Sequence, residues 1–177
     1  SLPTIEKLGN RTLLVSSLYS LGEAFRNLVV YEEKLEIRTD YLKKAIAAFG
    51  RSEDLARKSN NHAYILRSLN GLGSVYFDEK DFDKALECYE RALVIAQKKD
   101  PIFAADISNN ISNIFKEKSN FGDSYAYLVY SINTLLGLQT KTIQNWFSLY
   151  RSYIEIADTH IHRKEIERAS LSLDQAE

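Results

Sequence analysis

With a single cysteine, Cys88, this chain of 177 residues has neither a disulfide framework nor a cysteine cluster able to hold a metal. Two prolines and seven glycines are too few to punctuate a many-turned β sandwich, so long helices are the expectation. Neither sign of charge dominates. With Lys+Arg 23 against Asp+Glu 24 the formal charge is −1, which gives no global pull toward nucleic acid. No apolar run approaches the roughly 18–20 residues that span a bilayer, and the opening SLPTIEKLGN lacks the basic-then-apolar layout of a signal peptide. These absences point to a cytoplasmic chain without a membrane segment and without direct nucleic-acid binding. What is present, 45% hydrophobic and 27% charged residues, is enough for one domain with a substantial core. Starting at Ser1 and stopping at Glu177 inside an expected helix, the chain reads as a piece of something larger.

Apolar periodicity supplies the elements. Leu14, Leu18, Leu21, Phe25, Leu28 and Val29 fall on one helical stripe and predict a first helix over about 11–37. Thr39-Asp40 is a start signal, so a second helix is expected over about 40–58. Ile65, Leu69, Leu72, Gly73 and Tyr76 form the next stripe, with Asp81 capping a partner helix through about Lys98. Pro101 sits where a further helix would begin, proline being welcome in a first helical turn.

Within residues 69–92, LNGLGSVYFDEKDFDKALECYERA, the positions Leu72, Gly73, Tyr76, Ala85, Tyr89 and Ala92 carry a specific order and spacing. The segment resembles the tetratricopeptide repeat, a helix–turn–helix unit with the pattern L-G-x-x-Y followed by A-x-x-x-F. Each residue also has a packing reason: Gly73 lets two helices approach closely, Tyr76 and Tyr89 fill the wedge between them, and the alanines sit where backbones nearly touch. The third unit aligns Ile111, Ser112, Phe115, Phe121, Ser124, Leu128 and Ser131 with the second at a period of 112 − 73 = 39 residues, similar to the longer-helix members. The first matches through Leu21-Gly22-x-x-Phe25 and Ala45-x-x-x-Phe49, the latter eleven residues late, almost three helical turns. The fourth matches more loosely through Ile156, Ala157, His160, Ile166, Ala169, Leu173 and Ala176. The resemblance implies an all-α, right-handed solenoid of antiparallel helix pairs, about eight helices in units of about 11–58, 61–98, 101–138 and 140–177. Its function would be non-catalytic binding of a protein or extended peptide, scaffold-type, without a cofactor. The alternative is the sensory segment of a bacterial signalling protein or peptide-sensing transcriptional regulator.

Catalytic candidates are thin. His160 and His162, two apart, point about 200° from each other on a helix and cannot share a metal, and His62 reads as a helix-start residue. Cys88 has no histidine beside it in sequence and reads as a structural thiol. Gly71-x-Gly73 lies within a helix and lacks the third glycine of a phosphate-cradling loop.

Two surfaces remain. In stacked units of the resembled family the first helix of each pair lines a groove, which implies a peptide-binding set of Arg67, Asn70, Ser74, Asn109, Asn110, Asn113, Lys116 and Arg151. Asparagine is a poor helix former, yet its amide can both donate to and accept from an extended peptide. The plainer alternative is that these amides cap, solvate or bond to an adjacent helix. On the groove reading, changing Asn109 and Asn113 to alanine weakens peptide binding and spares the helical melt. The family's carboxylate clamp for a chaperone tail is absent, since its positions hold Tyr19, Glu23, Asn70 and Ser74 without the lysines. The second surface is an outer patch of Tyr127, Val129 and Tyr130 in a stretch poor in charge, suited to a homodimer or to contact with an adjoining domain, unless the helix near Trp146 and Phe147 covers it.

Overall fold

The computed structural model of the protein describes residues 2–139 and 142–174. Its regular elements among those residues are seven α-helices: α1 (Leu2–Tyr31), α2 (Leu35–Lys58), α3 (His62–Asp78), α4 (Phe82–Lys99), α5 (Pro101–Glu117), α6 (Phe121–Leu136) and α7 (Ile143–Asp174). Consecutive helices pack in pairs, as in a tetratricopeptide-like solenoid. The chain divides into two compact units, Ser1–Ile95 and Ala96–Glu177.

One turn design is used three times. Asn60, Lys80 and Ser119 each adopt a left-handed backbone, with φ of 53°, 60° and 57°, at the ends of α2, α3 and α5. The amide after each reaches five residues back into the finished helix, as Asn61 N–H does to the Ala56 carbonyl at 2.8 Å, closing a Schellman turn without glycine. The same following residue then caps the next helix: Asn61 accepts from the Tyr64 amide, Asp81 from Lys84 and Asn120 from Asp123. A three-residue link thus ends one helix and starts another, folding the chain back on itself.

In the first unit the core gathers Val29, Leu42, Ala45, Phe49, Leu72, Val75 and Cys88. Its centre is the fully buried ring of Phe49, gripped between two glycines: a Cβ on Gly22 would lie 2.7 Å from the ring and one on Gly71 2.6 Å from it. Gly73 gives the Tyr89 ring the same close approach, at 2.6 Å, as its place in the motif predicts. In the second unit Ala105, Ile132, Leu135 and Leu149 form the core, and Ile107, Ile111 and Ile114 of α5 are fully buried.

Three expectations are corrected. The first helix ends at Tyr31, not near residue 37, and α2 begins at Leu35 with Thr39 and Asp40 inside it. Thr39 Oγ1 bonds back to the Leu35 carbonyl and Asp40 pairs with Lys44, so both side chains serve the helix interior. On α1 the stripe is rotated: Leu18 and Val29 are buried and Phe25 half-buried, but Leu14, Leu21 and Leu28 face outward, because Gly22 must face Phe49. The fourth unit is not a helix pair, since α7 runs unbroken from Ile143 to Asp174, giving seven helices among the described residues. Around His160–Arg163 there is no left-handed residue and no capping Asn or Asp, and His162 Nδ1 lies 2.9 Å from the Asp158 carbonyl, in register with the helix. The expected contacts of Ile166, Ala169, Leu173 and Ala176 lie outside the residues whose side chains are described.

Candidate functional site

The groove residues expected on α5 meet α7. Asp106 accepts from Ser148 Oγ at 3.0 Å, Asn109 Nδ2 donates to Ser152 Oγ at 2.9 Å, and Asn110 Oδ1 accepts from the Arg151 guanidinium at 2.9 Å. Lys116 Nζ donates to Glu155 at 2.8 Å and to Asp158 at 2.7 Å. Successive partners are 42, 43, 41, 39 and 42 residues apart, a near-constant offset, so α5 and α7 run parallel and side by side. Asn109 is fully buried, and Ser131 of α6 completes the knot by sharing a hydrogen bond with Ser152 at 2.9 Å.

This is a polar interface, and its groups are tuned to it. Burial pushes the Asp106 carboxyl above its ordinary value, against the opposing pull of the Ser148 bond and nearby Arg151. The Lys116 bond holds Asp158 below its ordinary value. For Lys116 itself desolvation lowers the pKa, but the two carboxylates outweigh it and the net direction is upward. The groove placement of Asn109 is therefore corrected: a fully buried amide already satisfied by Ser152 does not meet a peptide. Asn110, Lys116 and Arg151 are half-buried in the same α5–α7 seam. Asn113, also half-buried, differs in keeping a buried amide oxygen without a hydrogen-bond partner in the structure.

The remaining groove residues lie on α3 beside α1. Arg67 is exposed, with its guanidinium 5.7 Å from the centre of the Tyr64 ring. Tyr64 in turn meets Tyr19 of α1 edge-on at 6.0 Å, and Tyr19 packs on Phe49 at 5.7 Å. One end of this face is closed by Arg26 of α1, whose Nε donates to Asp78 of α3 at 3.0 Å. Burial raises the Tyr19 pKa, and Glu23 adds to the rise while Arg67 and Arg26 oppose it, so a carboxylate and two guanidiniums converge on one phenol. Asn70 is half-buried on this face, whereas Ser74 turns toward α4 and shares a hydrogen bond with Tyr89 at 3.1 Å. Arg26 and Tyr64 are not among the residues the sequence points to. Their signal was faint, being a basic residue seven positions after Tyr19 and an aromatic three before Arg67.

The outer patch is half-buried at all three positions. Tyr127 stacks on Phe115 with ring centres 5.6 Å apart, which makes it a packing residue of the α5–α6 pair. Trp146 and Phe147 are themselves largely exposed. Among the described residues no group of three His, Cys, Asp or Glu side chains could hold a metal, and no helix is long and apolar enough to cross a membrane.

Helices folded back in pairs, with glycines admitting aromatic rings between them, define a helical-repeat protein. Residues 35–98, which span α2 to α4, match the tetratricopeptide repeat family model. No curated protein matches the chain. Among solved structures, BtubC (BKLC) from P. vanneervenii is similar with a TM-score of 0.52 at 18% identity, covering 91% of this chain and 70% of that one, a likeness that speaks for the fold alone.

Proposed function

We propose that the chain is a non-catalytic, scaffold-type module that binds a protein or an extended peptide on the α1–α3 face of its first unit. The observation that carries this reading is Arg67, an exposed cation held on an aromatic shelf of Tyr64 and Tyr19, with the Asn70 amide one helical turn away. Arginine on an aromatic support is a frequent anchor of protein interfaces, and an amide one turn further on can pair with a peptide backbone. The repeat itself supplies packing and no reacting group. On the single cysteine, which leaves no disulfide framework, the setting proposed is cytoplasmic.

A library of randomised extended peptides, selected on the intact chain, supplies the probe. Peptides so selected should lose about tenfold or more in affinity on Arg67→Ala with Asn70→Ala, about 1.4 kcal/mol or more. They should keep their affinity on Asn109→Ala, which changes the interior of the other unit. Failure to select any peptide, or peptides indifferent to the Arg67 and Asn70 changes, would sink the reading.

A further inference from the structure

Helix α7 has two faces of opposite fate. Ser148, Leu149, Ser152 and Thr159 are buried, while Ile143, Phe147, Tyr150, Ile154, Ala157 and Ile161 stand exposed on the opposite side. These six recur at intervals of four and three residues, the 3.5-residue period of a two-helix seam. Exposure is large: 90% for Ile143, 73% for Phe147, 65% for Tyr150, 48% for Ile154 and 55% for Ile161. With the flanking Trp146 and Tyr153, also exposed, the stripe is about 120° wide at 3.6 residues per turn and carries no charged side chain.

We infer that this face of α7 pairs with the same face of a second copy of the chain, antiparallel about a two-fold axis. Three observations choose that occupant. At about 200 Å² for each large side chain the exposed fractions amount to roughly 850 Å² of apolar surface. A standard specific interface buries about 800 Å² per partner. A face without charge has no like-charge repulsion against its own copy and offers no ion pair to select a foreign partner.

The third is register. An antiparallel pairing centred on residue 152 sets Ile143 against Ile161, Phe147 against Ala157 and Tyr150 against Ile154, each pair summing to 304. Every layer is then apolar, the bulky Phe147 meets the smallest residue of the stripe, and each contact occurs twice, as an isologous interface requires. On the flank of the stripe the same register sets Asp158, whose carboxylate is engaged by Lys116, against Gln144, and brings Arg151, whose guanidinium is turned to Asn110, beside its own copy as the one like-charge approach.

Sedimentation equilibrium of the intact chain, up to about 100 μM, should give twice the monomer mass of 20.3 kDa. Tyr150→Glu with Ile154→Glu places carboxylates against one another across the axis, and should weaken self-association by about a hundredfold or more while leaving the helical circular dichroism unchanged. Register is read separately with Phe147→Cys and Ala157→Cys in one chain, which should cross-link copies through disulfides on mild oxidation, Cys88 being buried. If the glutamate pair unfolds the protein, the cysteine pair still decides. A parent that stays monomeric, whatever other polypeptide its α7 then binds, overturns the inference. So does a mass growing beyond the dimer with concentration, a dimer untouched by the glutamates, or the absence of the cross-link.

Discussion

Replacing Gly71 with alanine should destabilise the first unit although alanine is the better helix former. Gly71 lies within α3, where the exchange on propensity alone is worth about 1 kcal/mol in favour of alanine. The added Cβ would sit 2.6 Å from Cε1 of Phe49, about 1 Å inside ordinary carbon–carbon contact. The ring cannot retreat, since Gly22 of α1 holds its other side at 2.7 Å and Phe49 is fully buried. Overpacking of this kind costs about 1–3 kcal/mol, and with both neighbours fixed the upper half applies, leaving a net loss of about 1–2 kcal/mol. Gly50, in α2 with nothing within 4 Å of the place its Cβ would take, is the control and should gain about 0.5–1 kcal/mol on the same exchange. Urea melts followed by circular dichroism measure both, and Phe49→Leu combined with Gly71→Ala should cost less than the sum of the single changes. Should Gly71→Ala raise the midpoint as Gly50→Ala does, the ring is not clamped and the packing account is wrong.

Further predictions concern the second unit and the thiol. Asn109→Ala strips a buried partner from Ser152 and should lower stability by about 1–3 kcal/mol in a urea melt, the opposite of the unchanged melt expected from sequence. Asp106→Asn keeps an acceptor for Ser148 while removing a half-buried charge, and should stabilise the protein by about 1 kcal/mol at pH 7. Because the folded-state pKa of Asp106 is raised, its ionisation costs stability above that value. The advantage of asparagine should therefore fade as pH falls through it and be gone below the ordinary 3.8, as melts across pH would record. Burial pushes the Cys88 thiol up to about 11, so alkylation at pH 8 should be slow in the native protein and fast in urea, tracking the loss of helical signal.

Much of the fold was legible because it rests on contacts that leave a local pattern. Leu72-Gly73-x-x-Tyr76 and Ala85-x-x-x-Tyr89 are read as a glycine admitting a ring, and Gly73 meets Tyr89 in that way. Ala45-x-x-x-Phe49 was legible as half a repeat, but not that Phe49 would be gripped from both sides. Gly71 drew attention only as a failed phosphate loop, since nothing local says that a ring from residue 49 arrives there. The Ile107–Ile111–Ile114 stripe fixes one side of α5, whereas what covers the other side depends on a helix some forty residues on. A signal existed: Asp106, Asn109, Asn110 and Lys116 are answered at near-constant offset by Ser148, Ser152, Arg151 and Asp158, a complementarity across the period more telling than the asparagines alone. The unbroken α7 was hidden by loose matches at Ala157 and Ala169, where the decisive absence was a cap and not an alanine.

Backbone amide shifts of the labelled protein, titrated with a selected peptide, locate recognition most directly. The largest changes are expected on α1 and α3, around Tyr19, Arg26, Arg67 and Asn70, with Asn109 to Lys116 of α5 nearly still. Changes centred on α5 and α7, with α3 unmoved, would contradict recognition on the α1–α3 face.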